Sequence, residues 1–593
     1  MRSIARADRP AADRWLARGL ALLVALAVCA PLLGRGYTLA YDMVFVPDPA
    51  FTAHAWGGDG MVPRAVPADA ILAVVGWLLP MSLVQQLLLL AATGLGVLGA
   101  WRVAPARTLL GAAATALAFG WGAYQAERLA MGQWSLLLGV ALLPWVLRAG
   151  LGAADTGRAW QLALLVAAGA VAAPTAGVLT AGLALALVAA LPLSGRHRAL
   201  VVATAGVANA TWAVPGALAG ARLGRDDLGV AAFATAADTP AGVVVSALTG
   251  GGVWNRLVHL DSRASAVSAG LGLVVLAVAA LGVRALVTRP ATATRASDPV
   301  GPAPAPASAR AGRAVLALGI IGLLLALVTT TGPGAHAVTW LTGHVPGAGL
   351  LRDAQKWLGW WLLPVALAFG VGLERVAAWF PPGSAVLVLA SGALVPLVAT
   401  PDYAWGVGGR LEAHPWPAAY SEAARALDEA PRPGAVVVLP WHAFRAWDWN
   451  GDRAVLDPWQ RWLDRPVVVR DDLELVHRTV PGEDPVAAAV GEVLGRGGPV
   501  DTEALRALGV RYVLEDLTTA GREGPEPAGS VLVDNDRVRV VDLGPVEADP
   551  ARDAHPVRVA GADLVALVWV LGLVIGGAVS RWRNGRSRVL LSR

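Results

Sequence analysis

The stretch "LLRDAQKWLGWWLLPVALAFGVGLER", residues 350–375, decides how the whole chain is read. It opens on Arg352, Asp353 and Lys356, then runs without a charge as far as Glu374. As a helix, an apolar run of this length crosses roughly 30 Å of hydrocarbon. Lys356 is also the only lysine among 593 residues; the other 47 basic side chains are arginine. Arginine offers a rigid planar fork, whereas lysine offers one compact, movable charge. The segment therefore reads as a membrane span with an unusual cation at its mouth.

Working outward, the same pattern recurs. The composition is 56% hydrophobic and 15% charged, with mean hydropathy +0.55. Soluble domains carry about a quarter charged residues, so the chain is a membrane protein by composition. Twelve spans are expected, near 15–34, 82–101, 108–124, 133–149, 160–174, 176–193, 199–217, 265–284, 314–331, 355–375, 383–400 and 561–580. The first could serve as a signal peptide, but Leu33-Gly-Arg-Gly is a poor cleavage site, so an uncleaved helix is favoured. Cys29 is the only cysteine, which excludes an internal disulfide and a thiolate metal site. The net charge of +5 lies in arginines at membrane edges rather than on a basic soluble face, so nucleic acid is not an expected partner.

Arginine asymmetry sets the expected sidedness. Arg102, Arg107, Arg148, Arg158, "GRHR" at 195–198, Arg284 to Arg313 and the tail "RWRNGRSR" at 581–588 all fall on one side. That side is taken as cytoplasmic, with both termini on it. The Pro/Ala-rich stretch within 288–313 reads as a linker without chemistry. The opposite side receives residues 35–81, 125–132, 218–264, 332–354 and a domain at 401–560. In that domain "GAVVVLPW", "RPVVVR", "VRYVLE" and "RVRVVDL" read as strands, and "PAAYSEAARALDEA" as an amphipathic helix. The expected organisation is a transmembrane domain over 1–400, an extracytoplasmic α/β domain over 401–560, and a last helix with basic tail over 561–593.

Charged residues at the membrane face are costly to desolvate, so clusters there are candidates for function. In "YDMVFVPDP", Asp42 and Asp48 follow the first span, and a carboxylate there can act as general base. "YQAERLAMGQW" at 124–134 holds Glu127 and Arg128, read either as a structural pair or as a ligand contact. The 218–264 loop brings Arg225, Asp226, Asp227 and Asp238, then "TGGGVWN", whose glycines either cradle a ligand or simply turn. Arg352 and Lys356, four apart, share one face if that segment is helical, with Asp353 orienting Arg352. Two cations on one face suit a phosphate headgroup. No carboxylate–histidine motif demands a cation, so no cofactor is assigned and a metal is left open.

Taken in order, these segments resemble the GT-C class of polytopic glycosyltransferases, and within it actinobacterial α-(1→3)-arabinofuranosyltransferase-like and YfhO-like membrane proteins. The resemblance rests on "YDMVFVPDPAFTAHAW", "ERLAMGQWSLLLGVALLPW", "NATWAVPGAL", "GGGVWN", "LLRDAQKW", "LPWHAFRAWDWNGDRAVLDP" and "LRALGVRYVLEDL". It implies a polytopic helical fold of about twelve spans with an extracytoplasmic α/β domain before the last helix. It also implies a polyprenyl-phosphate sugar donor, a cell-envelope glycan acceptor and a place in the cytoplasmic membrane. Asp42 takes the acidic first-loop role, with Asp48 as its competitor. Arg352, Lys356 and Arg128 fall where the donor phosphate is expected, supported by Asp353, Glu127, Trp254 and Asn255. The chain is shorter than the large arabinofuranosyltransferases, which leaves the sugar open. A lipid-precursor transporter and a non-catalytic scaffold whose external domain binds glycan are the alternatives. The external tryptophans (Trp441, Trp447, Trp449, Trp459, Trp462) read equally as a glycan-stacking surface and as core.

Overall fold

The computed structural model describes residues 11–219, 227–288, 305–345, 347–475, 478–496, 499–519 and 527–590. Arg225, Asp226 and linker positions 289–304 lie outside them. Among the described residues nine helices are long and apolar enough to cross a membrane. They are Asp13–Leu33, Met81–Val103, Trp134–Thr156, Gly195–Ala219, Ala266–Val287, Ala307–Val328, Ala354–Ala377, Pro382–Ala399 and Pro556–Ser580. The other three expected spans are shorter helices, Leu109–Gly120, Ala159–Ala172 and Pro174–Ala190.

Local chemistry explains the short ones. The first starts where Thr108 Oγ1 accepts from Gly111 N (3.0 Å), and it stops where Trp121 turns extended. The other two are one apolar stretch cut at Ala173, whose extended backbone (φ −169°) precedes Pro174. Proline lacks the N–H a continuing helix needs and disfavours helical geometry in the residue before it. Elsewhere, small residues let helices meet backbone to backbone. A Cβ on Gly282 would lie 1.9 Å from Ala368 O, and one on Gly372 would lie 1.8 Å from Val278 O. Ala266–Val287 therefore packs tightly along Leu358–Ala377.

The C-terminal domain holds a five-stranded sheet. Ser530–Asp534, Val538–Asp542 and Val510–Asp516 run antiparallel to their neighbours, and Ala435–Leu439 then Val467–Val468 continue it in parallel. Strand side chains alternate between faces. Val437, Val513 and Val541 pack against Val486, Val490 and Leu505 of two helices on one face. Val436, Tyr512 and Val540 meet Tyr420 and Leu427 on the other. The tryptophans belong to this core. Trp447 and Trp459 are fully enclosed, and Trp416 meets Trp447 (5.3 Å), Trp449 (4.9 Å) and Trp462 (4.9 Å) edge-on or tilted. Trp441 packs on the sheet's helical face. The glycan-stacking reading of these residues gives way to a packing role.

The loops expected on one side are gathered at one end of the bundle, with the sheet domain among them. Tyr37–Thr38 pairs with Ala413–His414, and Trp416 Nε1 donates to Phe45 O (3.0 Å). Arg461 Nε meets Asp69 Oδ2 at 2.9 Å, and Ser262 N donates to Asp402 Oδ2 at 2.9 Å.

Candidate functional site

Asp42 is aimed by its own backbone. Tyr41 occupies the left-handed region (φ +43°), uncommon for a residue with a Cβ, and both its peptide groups are held by the C-terminal domain. Its N–H donates to Ala454 O (2.6 Å) and its carbonyl accepts from Leu456 N (2.9 Å). Asp42 N then donates to Met131 O (3.2 Å), at the turn after helix Ala123–Ala130. Gly132 makes that approach possible, since a Cβ there would lie 2.1 Å from Ala40 O.

The side chains continue the link. Asp42 Oδ2 accepts from Gln133 Nε2 (3.0 Å), and Gln133 Oε1 accepts from Arg128 Nη1 (2.6 Å). Arg128 forks onto both oxygens of Asp353 (2.6 and 2.9 Å), while its Nε donates to Gln355 Oε1 (2.8 Å). Three residues beyond Asp353 comes Lys356, only 8% exposed. Among the described residues its ammonium makes no hydrogen bond or ion pair, and it lies 5.6 Å from the centroid of the Trp357 ring. Its charge is met only by that ring and, at longer range, by Asp353; a buried cation with so little direct pairing is costly and leaves room for an anion.

Asp42 itself is exposed to solvent, although protein crowds closely around it. Burial pushes its carboxyl above the usual range, although the Gln133 amide and the charges of Arg64 and Arg461 pull the other way. Burial acts likewise on Asp353, but Arg128 overrides it, with help from Lys356, and holds that carboxyl low. The two acids are thus driven apart: Asp353 stays an anion, and Asp42 is the more basic carboxylate.

Several expected residues take other places. The segment 348–357 is not one helix. It is two short 3-10 turns, Ala348–Leu351 and Ala354–Trp357, interrupted at Asp353 (φ −79°, ψ 84°), so the i, i+4 face for Arg352 and Lys356 does not form. Asp353 orients Arg128, not Arg352. Arg352 meets Glu483 Oε1 of the C-terminal domain at 3.3 Å. Arg128, expected as a phosphate ligand, is fully enclosed and committed to Asp353, Gln133 and Gln355, so it organises the site instead. Glu127 points to the opposite side, where its oxygens accept from Val253 N (3.0 Å) and Gly252 N (3.4 Å). Burial, then the neighbouring Asp238, pushes its carboxyl well up. Arg263 forks onto Asp238 at 2.8 and 2.9 Å, and the glycines of 250–252 wrap this buried group.

Trp254 packs edge-on to Phe233 (4.8 Å), and Asn255 caps the next turn at Leu257 N (3.1 Å). Asn255 Nδ2 also donates to the sulfur of Met131 (3.4 Å), whose carbonyl holds Asp42 N, whereas Asp48 stands exposed near Tyr37. Among the described residues no three or more His, Cys, Asp or Glu side chains converge as a metal site. Sequence reasoning missed Gln133, Gln355 and Glu483, of which only the "MGQW" glycine beside Gln133 gave a local signal.

Beside Tyr124 an open, mostly apolar recess lies among the helices, walled by Trp121, Leu276, Trp361, Leu362 and Pro396. Tyr124 lines it and donates from Oη to Lys356 O (2.8 Å).

No family model and no curated protein matches this chain. Among solved structures, arabinofuranosyltransferase AftD from Mycobacteria matches with TM-score 0.55 and 18% identity, over 93% of this chain and 41% of that one. A mutant form of AftD gives TM-score 0.51 and 16% identity, over 90% and 41%. The chain has a GT-C fold. It spans about two-fifths of the length of AftD. The archaeal oligosaccharyltransferase AglB from Archaeoglobus fulgidus, at TM-score 0.34 and 11% identity over 85% of this chain and 69% of that one, is too distant to carry an argument. Within the GT-C fold, the Asp42 network lies where the first loop, the helix ends and the C-terminal domain converge.

Proposed function

We propose that this chain is a membrane glycosyltransferase that moves a sugar from a polyprenyl-phosphate carrier to a cell-envelope glycan at the outer face of the cytoplasmic membrane. The observation that carries the reading is the continuous link from Asp42 through Gln133 and Arg128 to Asp353, three residues before the buried Lys356, whose ammonium makes no hydrogen bond or ion pair among the described residues. A scaffold would have no reason to tie a raised-pKa carboxylate, through one hydrogen-bonded network, to the turn that carries a buried cation. A transporter would concentrate charges near the bilayer midplane, whereas this cluster sits at helix ends.

In the reaction, an Asp42 oxygen takes the proton of an acceptor hydroxyl as that oxygen bonds to the anomeric carbon. The carbon–oxygen bond to phosphate breaks, and polyprenyl phosphate leaves with the electron pair. Lys356 offsets the growing charge on the leaving phosphate. The apolar recess lined by Tyr124, whose hydroxyl holds the Lys356 carbonyl, is suited to the carrier's hydrocarbon chain. Arginine asymmetry supports cytoplasmic termini and an extracytoplasmic sheet domain over 401–560.

The test is transfer by the purified, reconstituted chain of labelled arabinofuranose or mannose from polyprenyl-phosphate donors to extracted envelope glycan. Asp42→Asn should abolish transfer at unchanged protein level. Full transfer by that variant would remove Asp42 from the mechanism.

A further inference from the structure

The side chain between Asp42 and the cationic wall is a neutral amide, and its chemistry is unusually well determined. Arg128 has only donors to offer, so the Gln133 atom facing its Nη1 at 2.6 Å must be the amide oxygen. That turns the amide NH2 toward Asp42 Oδ2, 3.0 Å away. Arg128 cannot swing to accommodate a flipped amide, because Asp353 and Gln355 hold its remaining nitrogens. Asp42 Oδ1 accepts no hydrogen bond among the described residues.

We infer that Gln133 is the positioning residue for Asp42, fixing one carboxylate oxygen through a neutral N–H and leaving the other to meet the acceptor hydroxyl. This rests on Asp42 being the base. The choice of an amide follows from what the alternatives would do. A glutamate at 133 would set a second carboxylate against Asp42. A lysine or arginine would form an ion pair with Asp42, lower its basicity, and repel Arg128. The amide holds the base without neutralising it. Because its oxygen is fixed by Arg128, and Arg128 by Asp353, the base keeps a set distance from the wall that carries Lys356. Pre-set geometry of this kind is worth much of a transfer rate.

The experiment is an infrared difference titration of the full, reconstituted chain. The protonated Asp42 carboxyl band is identified as the one missing in Asp42→Asn. Donation to the ionised form favours it, so removing the donor must raise the titration midpoint. Gln133→Leu should raise it by about one to two pH units. Gln133→Glu keeps the contact with Arg128 and so preserves the packing if the leucine variant fails to fold; it should raise the midpoint at least as far. The acidic limb of the kcat/KM profile should move up in parallel, with KM for the donor little changed. A midpoint unmoved in both variants overturns the role of Gln133, even if wild-type transfer is intact and Asp42→Asn is dead. No transfer by the wild type, whatever the midpoint does, overturns the transferase reading and the role with it.

Discussion

At Lys356 the difference between lysine and arginine becomes a physical one. The side chain is enclosed, its ammonium lies over the Trp357 ring, and its backbone carbonyl is pinned by Tyr124. A guanidinium is wider, planar and less able to shift along a moving phosphate oxygen. Lys356→Arg should therefore cut kcat about tenfold, and Lys356→Ala about 10²- to 10³-fold, the usual cost of losing a charge stabiliser. Equal activity of lysine and arginine would reduce the residue to an interfacial anchor. Lys356 and Asp42 were legible in the sequence because a lone lysine and an acid just past a span both carry charge where charge is costly. Gln133 was not, because an uncharged amide leaves no such mark. Arg352 was legible but its partner was not, since Glu483 lies 131 positions away, on the C-terminal domain.

Among elements, the expected α/β domain formed as read, and its tryptophans show what periodicity could not settle. Stacking surface and core demand the same residue type, and only three-dimensional enclosure separates them. Trp447 is buried, stacks on Trp449 (5.3 Å), and donates from Nε1 to Asp516 Oδ2 (2.6 Å). Trp447→Ala should destabilise the domain by about 3–5 kcal/mol, read as a lowered unfolding midpoint in urea. Unchanged stability with weakened glycan binding would restore the stacking role. All twelve expected spans are helices, but three are shorter than the nine long ones among the described residues, stopped at Trp121 or divided at Ala173-Pro174. Hydropathy counts apolar residues but does not register the single backbone turn that shortens a helix.

For the whole molecule, the proposed site belongs to no single part. The first loop supplies Asp42, the helix Ala123–Ala130 and its turn supply Arg128 and Gln133, and the mouth of Ala354–Ala377 supplies Lys356. The C-terminal domain clamps Tyr41 and reaches Arg352. Sequence order separates Asp42 from Gln133 by 91 residues and Arg128 from Asp353 by 225, and that convergence is what the fold adds. Residues serving one step lose their effects together, whereas residues in separate roles lose them additively. The direct test is a double-mutant cycle on transfer from a polyprenyl-phosphate donor, using Asp42→Asn, Lys356→Ala and both together. If the two face one reacting sugar phosphate, the double variant should transfer little more slowly than the worse single one. Losses that multiply in full would contradict a shared reaction centre.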